Sequence, residues 1–175
     1  MEKQTKREEI YNGQVISVVK DEVELDDGST STRELVLHNG GACIALRDGE
    51  YYYMVRQFRY AFDTFMYEFP AGKIEKGEDH QNTILREAIE ETGYSVKNLR
   101  YFGYIIPTCG YCTEKIYLYY GEADEYLGQH LDKDEDIELE KFTFKQIREM
   151  VRQGLIQDSK TVALMYHLEL AGIDG

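Results

Sequence analysis

Acidic side chains crowd one segment of this chain, residues 72–94, which holds five glutamates and an aspartate. Its glycines and charged residues predict a loop at the start, and its apolar spacing predicts a helix from residue 79 or 80 to 92. At roughly 100° per residue, Glu87, Glu90 and Glu91 fall on one side of this helix and the apolar residues on the opposite side. Three carboxylates therefore share one helix face at spacings of three and four residues.

Two interpretations of this acidic face are open: a solvated helix surface, which is the usual outcome for a run of charges, and a metal site. Like charges at these spacings repel by a few tenths of a kcal/mol per pair. The helix dipole disfavours Glu90 and Glu91 in the last turn by roughly 0.3–1 kcal/mol each. Arg86 can pair with Glu90, but one cation does not neutralise three carboxylates. Because a hard divalent cation such as Mg²⁺ binds carboxylate oxygens, the pattern favours the metal site.

The overall charge restricts the partners that the protein can bind. The chain has 175 residues, with 20 lysines and arginines against 33 acidic residues and a formal net charge of −13. Such a surface repels nucleic acid and anionic membranes, so we expect neither as a partner. The N-terminal residues have no apolar signal core, and no apolar run approaches the roughly 18 residues of a membrane span. A cytoplasmic protein is expected.

The cysteines suggest little chemistry of their own. Cys43 lies in an apolar, strand-like run and is expected in the core. Cys109 and Cys112 form a CxxC pair, but a zinc site requires four ligands and a thioredoxin-like pair opens a helix. Here the pair precedes a predicted strand, so two free thiols in a loop are favoured over a redox or metal role.

Short strands outnumber helices in the rest of the chain. After a polar tail, strands are predicted in the runs QVISVV, DEVEL, STRELVLH, ACIAL, YYYMVRQF, MYEF, LRYFGYII, KIYLYYG and IELEKFTF. Two helices close the chain, KQIREMVRQG and SKTVALMYHLELAG, and Ser159 is predicted as the N-cap of the second. Hairpins mixed with a crossover predict an α+β or mixed α/β fold. We expect residues 1–38 to form a small β lobe and residues 39–175 the main domain.

The acidic segment matches the pattern G-x5-E-x7-R-E-x2-E-E-x-G at every charged and glycine position. The matching residues are Gly72, Glu78, Arg86, Glu87, Glu90, Glu91 and Gly93. This pattern resembles the signature of the Nudix hydrolases, and the flanking runs VRQFRY, EFPAGKIEKGED, GLIQDSKTVAL and TRELVLHNGGACIAL resemble the ADP-ribose pyrophosphatase branch. The resemblance implies a Nudix α/β/α sandwich with a mixed sheet, a small N-terminal sheet and a homodimer whose N-terminal segments cross to the partner.

The same resemblance implies a metal site and a catalytic base. The cofactor would be Mg²⁺, or Mn²⁺, with Glu87 and Glu91 as direct ligands, Glu90 sharing the metals and the backbone carbonyl of Ala71 completing the site. The base that activates water would be Glu114, with Glu90 as the alternative. An exposed loop position without catalytic function is an equally weighted interpretation of Glu114.

Structural roles are implied for the remaining residues of the pattern. Glu78 would pair with Arg86 and brace the loop against the helix. Gly93 is placed where the helix must stop, and Gly72 opens the loop.

Substrate contacts are implied outside the acidic segment. Arg59 would contact phosphate, a task that suits the planar fork of a guanidinium. Arg33 and Glu34 would contact the adenine from the partner subunit; an exposed strand pair is the alternative. Gly110 matches the glycine of a pocket loop that is commonly S-P-G in this branch, and Cys109 replaces the proline, which leaves the sugar specificity open.

Three functions remain open at this point. The first is Mg²⁺-dependent hydrolysis of ADP-ribose to AMP and ribose 5-phosphate. The second is the same reaction on another nucleoside diphosphate sugar, such as a UDP- or GDP-sugar. The third is a non-catalytic Nudix domain that senses such a ligand, which the intact set of glutamates disfavours.

Overall fold

Ten β-strands and three α-helices form in residues 1–131 and 136–173, the part of the chain that our computed structural model describes. These elements belong to two compact units. The first unit comprises Met1–Gly40 and Ile106–Lys115, and the second comprises Gly41–Ile105 and Ile116–Gly175. The segment 106–115 thus belongs with the N-terminal strands, although the sequence interpretation assigned it to the main domain.

The first unit is built on a three-stranded antiparallel sheet in the order β1-β2-β3. Its strands are β1 (Lys3–Asn12), β2 (Ser17–Glu24) and β3 (Thr30–Leu37). The segment 106–115 joins this sheet through a parallel bridge between Val36 and Cys112.

Two predictions for the N-terminal region were wrong. Residues 3–12 form strand β1 rather than a polar tail; all ten are exposed, so the strand has no apolar alternation that the sequence could reveal. It is held by backbone pairing and by ion pairs such as that of Arg7 with Asp21, at 2.6 Å. The runs QVISVV and DEVEL are not two strands, because residues 17–24 form β2 without interruption.

The second unit contains a seven-stranded mixed sheet. The order along the sheet is β10-β5-β4-β9-β8, with β6 paired to β5 and β7 paired to β4. Only β4 and β9 pair in parallel among these described strands. The strands are β4 (Gly41–Asp48), β5 (Tyr51–Arg59), β6 (Thr64–Glu68), β7 (Ala71–Lys73), β8 (Tyr94–Ile105), β9 (Ile116–Tyr126) and β10 (Ile137–Thr143).

Helices cover both faces of this sheet, because strand β4 is apolar on both sides. Ala42, Ile44 and Leu46 pack on one face with helix α1 (His80–Thr92). Cys43 and Ala45 pack on the other face with helices α2 (Phe144–Arg152) and α3 (Ser159–Leu170). Successive side chains of a strand point to opposite faces, so one strand contributes to both apolar cores. The three layers confirm the predicted α/β/α arrangement of a mixed sheet.

The N-cap of helix α3 differs from the predicted one. Asp158, not Ser159, caps this helix, and its carboxylate accepts the backbone N–H of Thr161 at 3.0 Å. An aspartate and a serine are equally good caps, so the sequence could not choose between adjacent positions.

Within the described residues, no helix combines the length and the apolar character that a membrane span requires.

Candidate active site

Helix α1 has a defined start and a defined end. Asp79 is the N-cap, and one of its carboxylate oxygens accepts the backbone N–H groups of Gln81 and Asn82, each at 2.9 Å. Gly93 ends the helix at φ 80°, a left-handed conformation that favours glycine. Its N–H donates to the carbonyl of Ile89 at 2.8 Å. The predicted limits of this helix are confirmed.

The acidic face of helix α1 is not a solvated surface. Glu87 is 9% exposed and Glu91 is 3% exposed, whereas Glu90 is partly exposed. Burial of two carboxylates on consecutive turns is costly unless cations or hydrogen-bond donors compensate for the lost water. The interpretation as an ordinary charged helix surface is therefore wrong for Glu87 and Glu91.

Strand β7 lies against these two buried carboxylates. The backbone N–H of Ala71 donates to Oε2 of Glu91 at 3.0 Å. The carboxylate of Glu87 occupies the space beside Gly72 that a Cβ atom would need, with Oε1 only 1.8 Å from the ideal position of that atom. A Cβ atom at residue 72 would therefore have to displace the Glu87 carboxylate, and the two adjacent residues of β7 each contact one carboxylate.

Arg86 contacts three of the acidic residues of the segment. Its Nη1 atom lies 2.9 Å from Oε1 of Glu87 and 2.7 Å from Oε2 of Glu90. Its Nη2 atom lies 3.1 Å from Oε2 of Glu78. The expected pairs of Arg86 with Glu90 and with Glu78 are both present, and they place one guanidinium between the loop and the acidic helix face.

Glu78 is held in its charged form by this contact. The hydrogen bond from Arg86 is the largest influence and, with a further hydrogen bond from the Thr83 hydroxyl at 2.8 Å, it lowers the pKa of Glu78 to about 2. The bonded carboxylate ties the loop that precedes α1 to the second turn of the helix.

A buried ion network that the sequence analysis did not predict lies in the same unit. Glu68, 3% exposed, accepts two hydrogen bonds from Arg59, from Nε at 2.6 Å and from Nη2 at 2.7 Å. Lys160, 8% exposed, donates to Oε2 of Glu68 and lies 2.9 Å from Oδ1 of Asp158. Arg59, predicted to contact phosphate, therefore already pairs with a buried carboxylate, and its Nη1 atom takes no part in that pair.

Charge compensation keeps this network ionised. Burial favours the neutral form of Glu68, but the hydrogen bond from Arg59 and the charge of Lys160 hold the pKa of this carboxyl below its usual value. Burial likewise disfavours the charged form of Lys160, yet Asp158 and Glu68 raise the pKa of its ammonium group. Glu68 and Lys160 thus remain charged although both side chains are buried.

One sequence signal could have revealed Lys160. The buried side chains of helix α3 include Lys160, Leu164 and Leu168, at four-residue spacing. A lysine that falls in register with an apolar stripe faces the core unless its long stem carries the charge to solvent. Such a lysine requires a buried carboxylate as its partner.

Arg33 and Glu34, the predicted adenine contacts, lie on strand β3 of the first unit. Arg33 pairs with Glu2, with a distance of 2.9 Å from its Nε to Oε2 of that residue. Glu34 is exposed and stands opposite Lys20 in the register of β2 and β3. Alternation along the strand directs the two side chains to opposite faces of the sheet.

Glu114 and Gly110 lie in the segment 106–115 of the same unit. This segment is tied to β3, because Val36 donates its N–H to the carbonyl of Tyr111 at 2.8 Å and accepts the N–H of Thr113 at 2.9 Å. Oε1 of Glu114 is 3.5 Å from Nδ1 of His38, a nitrogen that accepts the N–H of Gly40. Gly110 is exposed, with open space at the position that a Cβ atom would occupy.

All three cysteines are free thiols. Cys43 is buried, as expected for a core residue, and Cys109 and Cys112 are exposed and partly exposed. Cys109 and Cys112 lie in the segment 106–115, and their expected lack of a redox or metal role stays a prediction.

The donor set on helix α1 suits a hard divalent cation. Across residues 1–131 and 136–173, no three His, Cys, Asp or Glu side chains converge as a metal cage. Mg²⁺ does not need one, because it keeps several waters and binds through one or two carboxylates. Glu87 and Glu91 supply carboxylate oxygens from adjacent turns, and the fit of Glu87 against Gly72 keeps its carboxylate beside the backbone of β7.

Comparison with known proteins gives concordant matches. The NUDIX domain family matches residues 37–164. The methanol dehydrogenase activator of Bacillus methanolicus is 38% identical over 172 residues, covering 97% of this chain and 93% of that protein. The ADP-ribose pyrophosphatase of Bacillus subtilis (strain 168) is 36% identical over 172 residues, with the same 97% and 93% coverage.

Two further matches widen the range of relatives. The GDP-mannose pyrophosphatase of Cronobacter sakazakii is 36% identical over 152 residues, covering 81% of this chain and 79% of that protein. The crystal structure of an ADP compounds hydrolase aligns with a TM-score of 0.87 at 15% identity, covering 98% of this chain and 95% of that one, which supports the fold. From the family match and the identity to its relatives, the chain belongs to the NUDIX domain family and is a Nudix hydrolase.

Proposed function

We propose that this protein hydrolyses the pyrophosphate bond of a nucleoside diphosphate sugar, with ADP-ribose as the first candidate substrate. The observation that carries the proposal is the burial of Glu87 and Glu91 against Ala71 and Gly72 of strand β7. The identity to an ADP-ribose pyrophosphatase supports the choice of substrate. The products would be AMP and ribose 5-phosphate.

The proposed cofactor is Mg²⁺, with Mn²⁺ as a substitute. Glu87 and Glu91 would bind it directly, Glu90 would share it and the carbonyl of Ala71 would complete the site. The bound cation would neutralise pyrophosphate charge and lower the pKa of a coordinated water. Ala71 suits this role, because its N–H donates to Oε2 of Glu91 at 3.0 Å. This hydrogen bond holds the backbone of Ala71 beside one of the proposed ligands.

The chain's own residues would manage the proton and the substrate charge. Water adds to one phosphorus, the bridging P–O bond breaks, and the departing phosphate takes the electron pair. Glu114 would accept the proton from the attacking water, with Glu90 as the alternative base. Arg59 would offer N–H donors to a phosphate oxygen, since its pair with Glu68 uses only Nε and Nη2.

A panel assay tests the proposal. The purified protein is incubated with ADP-ribose, GDP-mannose, UDP-glucose and ATP, with Mg²⁺ or with EDTA, and the products are separated by chromatography. We expect AMP from ADP-ribose with Mg²⁺ and none with EDTA. A protein that leaves every nucleotide of the panel intact contradicts the proposal.

GDP-mannose is the second candidate substrate. Its support is the 36% identity to a GDP-mannose pyrophosphatase over 152 residues. Cys109 stands where the branch commonly has a proline in the pocket loop, so the preferred sugar can differ from ribose. Release of GMP at a higher kcat/KM than release of AMP would select this substrate.

Activation of a methanol dehydrogenase is a candidate of a different class. Its support is the relative of that name, which is 38% identical to this chain. The test adds wild-type protein, or a variant with Glu87→Gln and Glu91→Gln, to a methanol dehydrogenase assay. Stimulation by both proteins would indicate a binding role without catalysis, and stimulation by the wild type alone would indicate one that depends on hydrolysis.

We also propose a homodimer, in which Arg33 and Glu34 of one subunit contact the adenine in the site of the other. The pair of Arg33 with Glu2 would have to open or rearrange for this contact. Residues 1–38 would then be the dimer-forming lobe, and the cytoplasm is the proposed location.

A further inference from the structure

Lys160 occupies a place where a lysine is unfavourable for the fold. It is the second residue of helix α3, where the helix dipole disfavours a cation. It is also buried in register with Leu164 and Leu168, where an apolar residue would pack without losing hydration. A buried ion pair is weak evidence for stability, because apolar replacements are often neutral or stabilising. Packing and fold stability therefore do not explain the presence of a lysine at residue 160.

The first turn of helix α3 holds the residue pair Glu68 and Phe69 at two points. Lys160 donates to the carboxylate of Glu68, and the hydroxyl of Thr161 accepts the backbone N–H of Phe69 at 2.9 Å. Thr161 is in turn fixed by Asp158, whose Oδ2 accepts its hydroxyl at 2.6 Å. The end of strand β6 is thus oriented by α3 at both its side chain and its backbone.

Oε2 of Glu68 is shared by two cations. It accepts from Nη2 of Arg59 at 2.7 Å and from Nζ of Lys160. Lys160 therefore fixes the carboxylate to which the Arg59 guanidinium is aligned by two hydrogen bonds. The side chain of Arg59 is 38% exposed, so it can meet a ligand, whereas that of Lys160 is only 10% exposed.

The charge balance of this cluster also depends on Lys160. Arg59 and Lys160 together offset Glu68 and Asp158, so the four groups sum to zero. A neutral residue at 160 would leave one net negative charge beside the proposed site of an anionic diphosphate. It would also leave Oε2 of Glu68 bonded to Arg59 alone.

We propose that Lys160 is a positioning residue for the substrate. It fixes the carboxylate of Glu68, and this carboxylate in turn orients Arg59 towards the phosphates. Its positive charge also offsets Glu68, so that the charge of Arg59 remains available to the phosphates. This inference rests on the proposed hydrolysis of a nucleoside diphosphate sugar. Lys160 does not touch the substrate; it acts through Glu68 and Arg59. The substrate class that it serves is a dianionic pyrophosphate, irrespective of the sugar.

A double-mutant cycle with a binding readout tests the inference. ADP-ribose is titrated calorimetrically in EDTA, which prevents turnover, into wild type, Lys160→Met, Arg59→Gln and the double variant. Loss of an oriented charged donor should weaken binding roughly tenfold or more in each single variant. Because Lys160 acts through Arg59, the double variant should bind no more weakly than Arg59→Gln.

Kinetics with Mg²⁺ provide the second readout. Lys160→Met should raise KM with a smaller change in kcat, and Lys160→Arg should recover part of the loss, because it restores a cation. Lys141→Met is the matched control, since Lys141 pairs with Asp48 at 2.7 Å elsewhere in the same unit. Its binding and KM should equal those of the wild type.

Several outcomes would overturn the inference. Wild-type affinity in Lys160→Met, or additive losses in the double variant, would show that Lys160 does not act through Arg59. If Lys160→Met fails to fold, a double variant with Glu68→Gln and Lys160→Met is used, because it does not leave the Glu68 carboxylate buried without Lys160. Wild-type affinity in that double variant would also contradict the inference. The proposed function is tested separately by wild-type hydrolysis. If the wild type prefers GDP-mannose, the titrations use that nucleotide.

Discussion

The carboxylate of Glu87 fills the space that a side chain at Gly72 would occupy, with Oε1 1.8 Å from the ideal Cβ position. A methyl group at residue 72 must therefore displace this carboxylate. The displaced group is the end of a flexible side chain, so the fold can yield at small cost while the proposed metal ligand cannot stay in place. Stability and activity are expected to separate at this residue.

Gly72→Ala should lower kcat/KM by roughly 10²-fold, the scale of a displaced catalytic contact. The free energy of unfolding should change by less than about 1 kcal/mol. Kinetics and urea denaturation of the same preparation measure both quantities. The control is Gly72→Ala combined with Glu87→Gln, which should be no less active than Glu87→Gln alone; further loss in the double variant would mean that residue 72 acts by another route.

Metal binding should stabilise the protein through Glu87 and Glu91. At a hundred times the dissociation constant, Mg²⁺ should raise the Tm by roughly 5–10 °C. A variant with Glu87→Gln and Glu91→Gln should lose both this rise and turnover. Glu149→Gln on helix α2, where Glu149 pairs with Arg152 at 2.8 Å, is the control and should retain both. Undiminished hydrolysis in the double variant would refute the proposed metal site.

Replacement of the catalytic base should affect kcat more than KM. If Glu114 is the base, Glu114→Gln should lower kcat by roughly 10²–10⁴-fold, while the binding groups leave KM nearly unchanged. A loop glutamate without catalytic function would instead leave kcat close to normal. Steady-state kinetics of Glu114→Gln beside Glu90→Gln distinguish the two. Collapse of kcat in Glu90→Gln alone would assign the base to helix α1.

The contact between Glu78 and Arg86 should make stability depend on pH in the acid range. The folded pKa of Glu78 is lowered to about 2. Its contribution to the free energy of unfolding is therefore complete above the unfolded pKa of about 4.3 and is lost as the pH falls towards the folded pKa. The partly solvated pair should contribute about 1–2 kcal/mol at pH 7. The difference in unfolding free energy between wild type and Glu78→Gln should shrink below pH 4. A difference that stays constant down to pH 2 would contradict this account.

The proposed dimer predicts complementation between two inactive variants. A variant with Arg33→Ala and Glu34→Ala cannot supply adenine contacts to the site of its partner subunit. A variant with Glu87→Gln and Glu91→Gln lacks the metal ligands of its own site. After exchange of subunits in an equal mixture, half the dimers are mixed and each has one intact site, which should restore roughly one quarter of wild-type activity. Sedimentation equilibrium checks the oligomeric state. A fully active monomer would exclude Arg33 and Glu34 from the site.

The local features around the acidic segment could be predicted from the sequence. The limits of helix α1, its stop at Gly93 and the contact of Arg86 with Glu90 all depend on residues no more than about one helical turn apart. The continuous apolar run of residues 42–46 likewise identified β4 as a core strand. These properties follow from backbone periodicity and from side chains that are neighbours in the chain, so a single sequence is sufficient to predict them.

Other features arise only when distant segments meet. Glu68 and Lys160 are separated by 92 positions, so their contact forms only when strand β6 and helix α3 meet. Glu87 and Glu91 lie on the side of the helix opposite its apolar residues, and their burial depends on contacts with strand β7, which is distant from Glu87 and Glu91 in the chain. Strand β1 has no apolar face and forms because β2 supplies its hydrogen bonds. Burial and pairing are properties of the neighbour across space, which the order of residues along the chain does not specify.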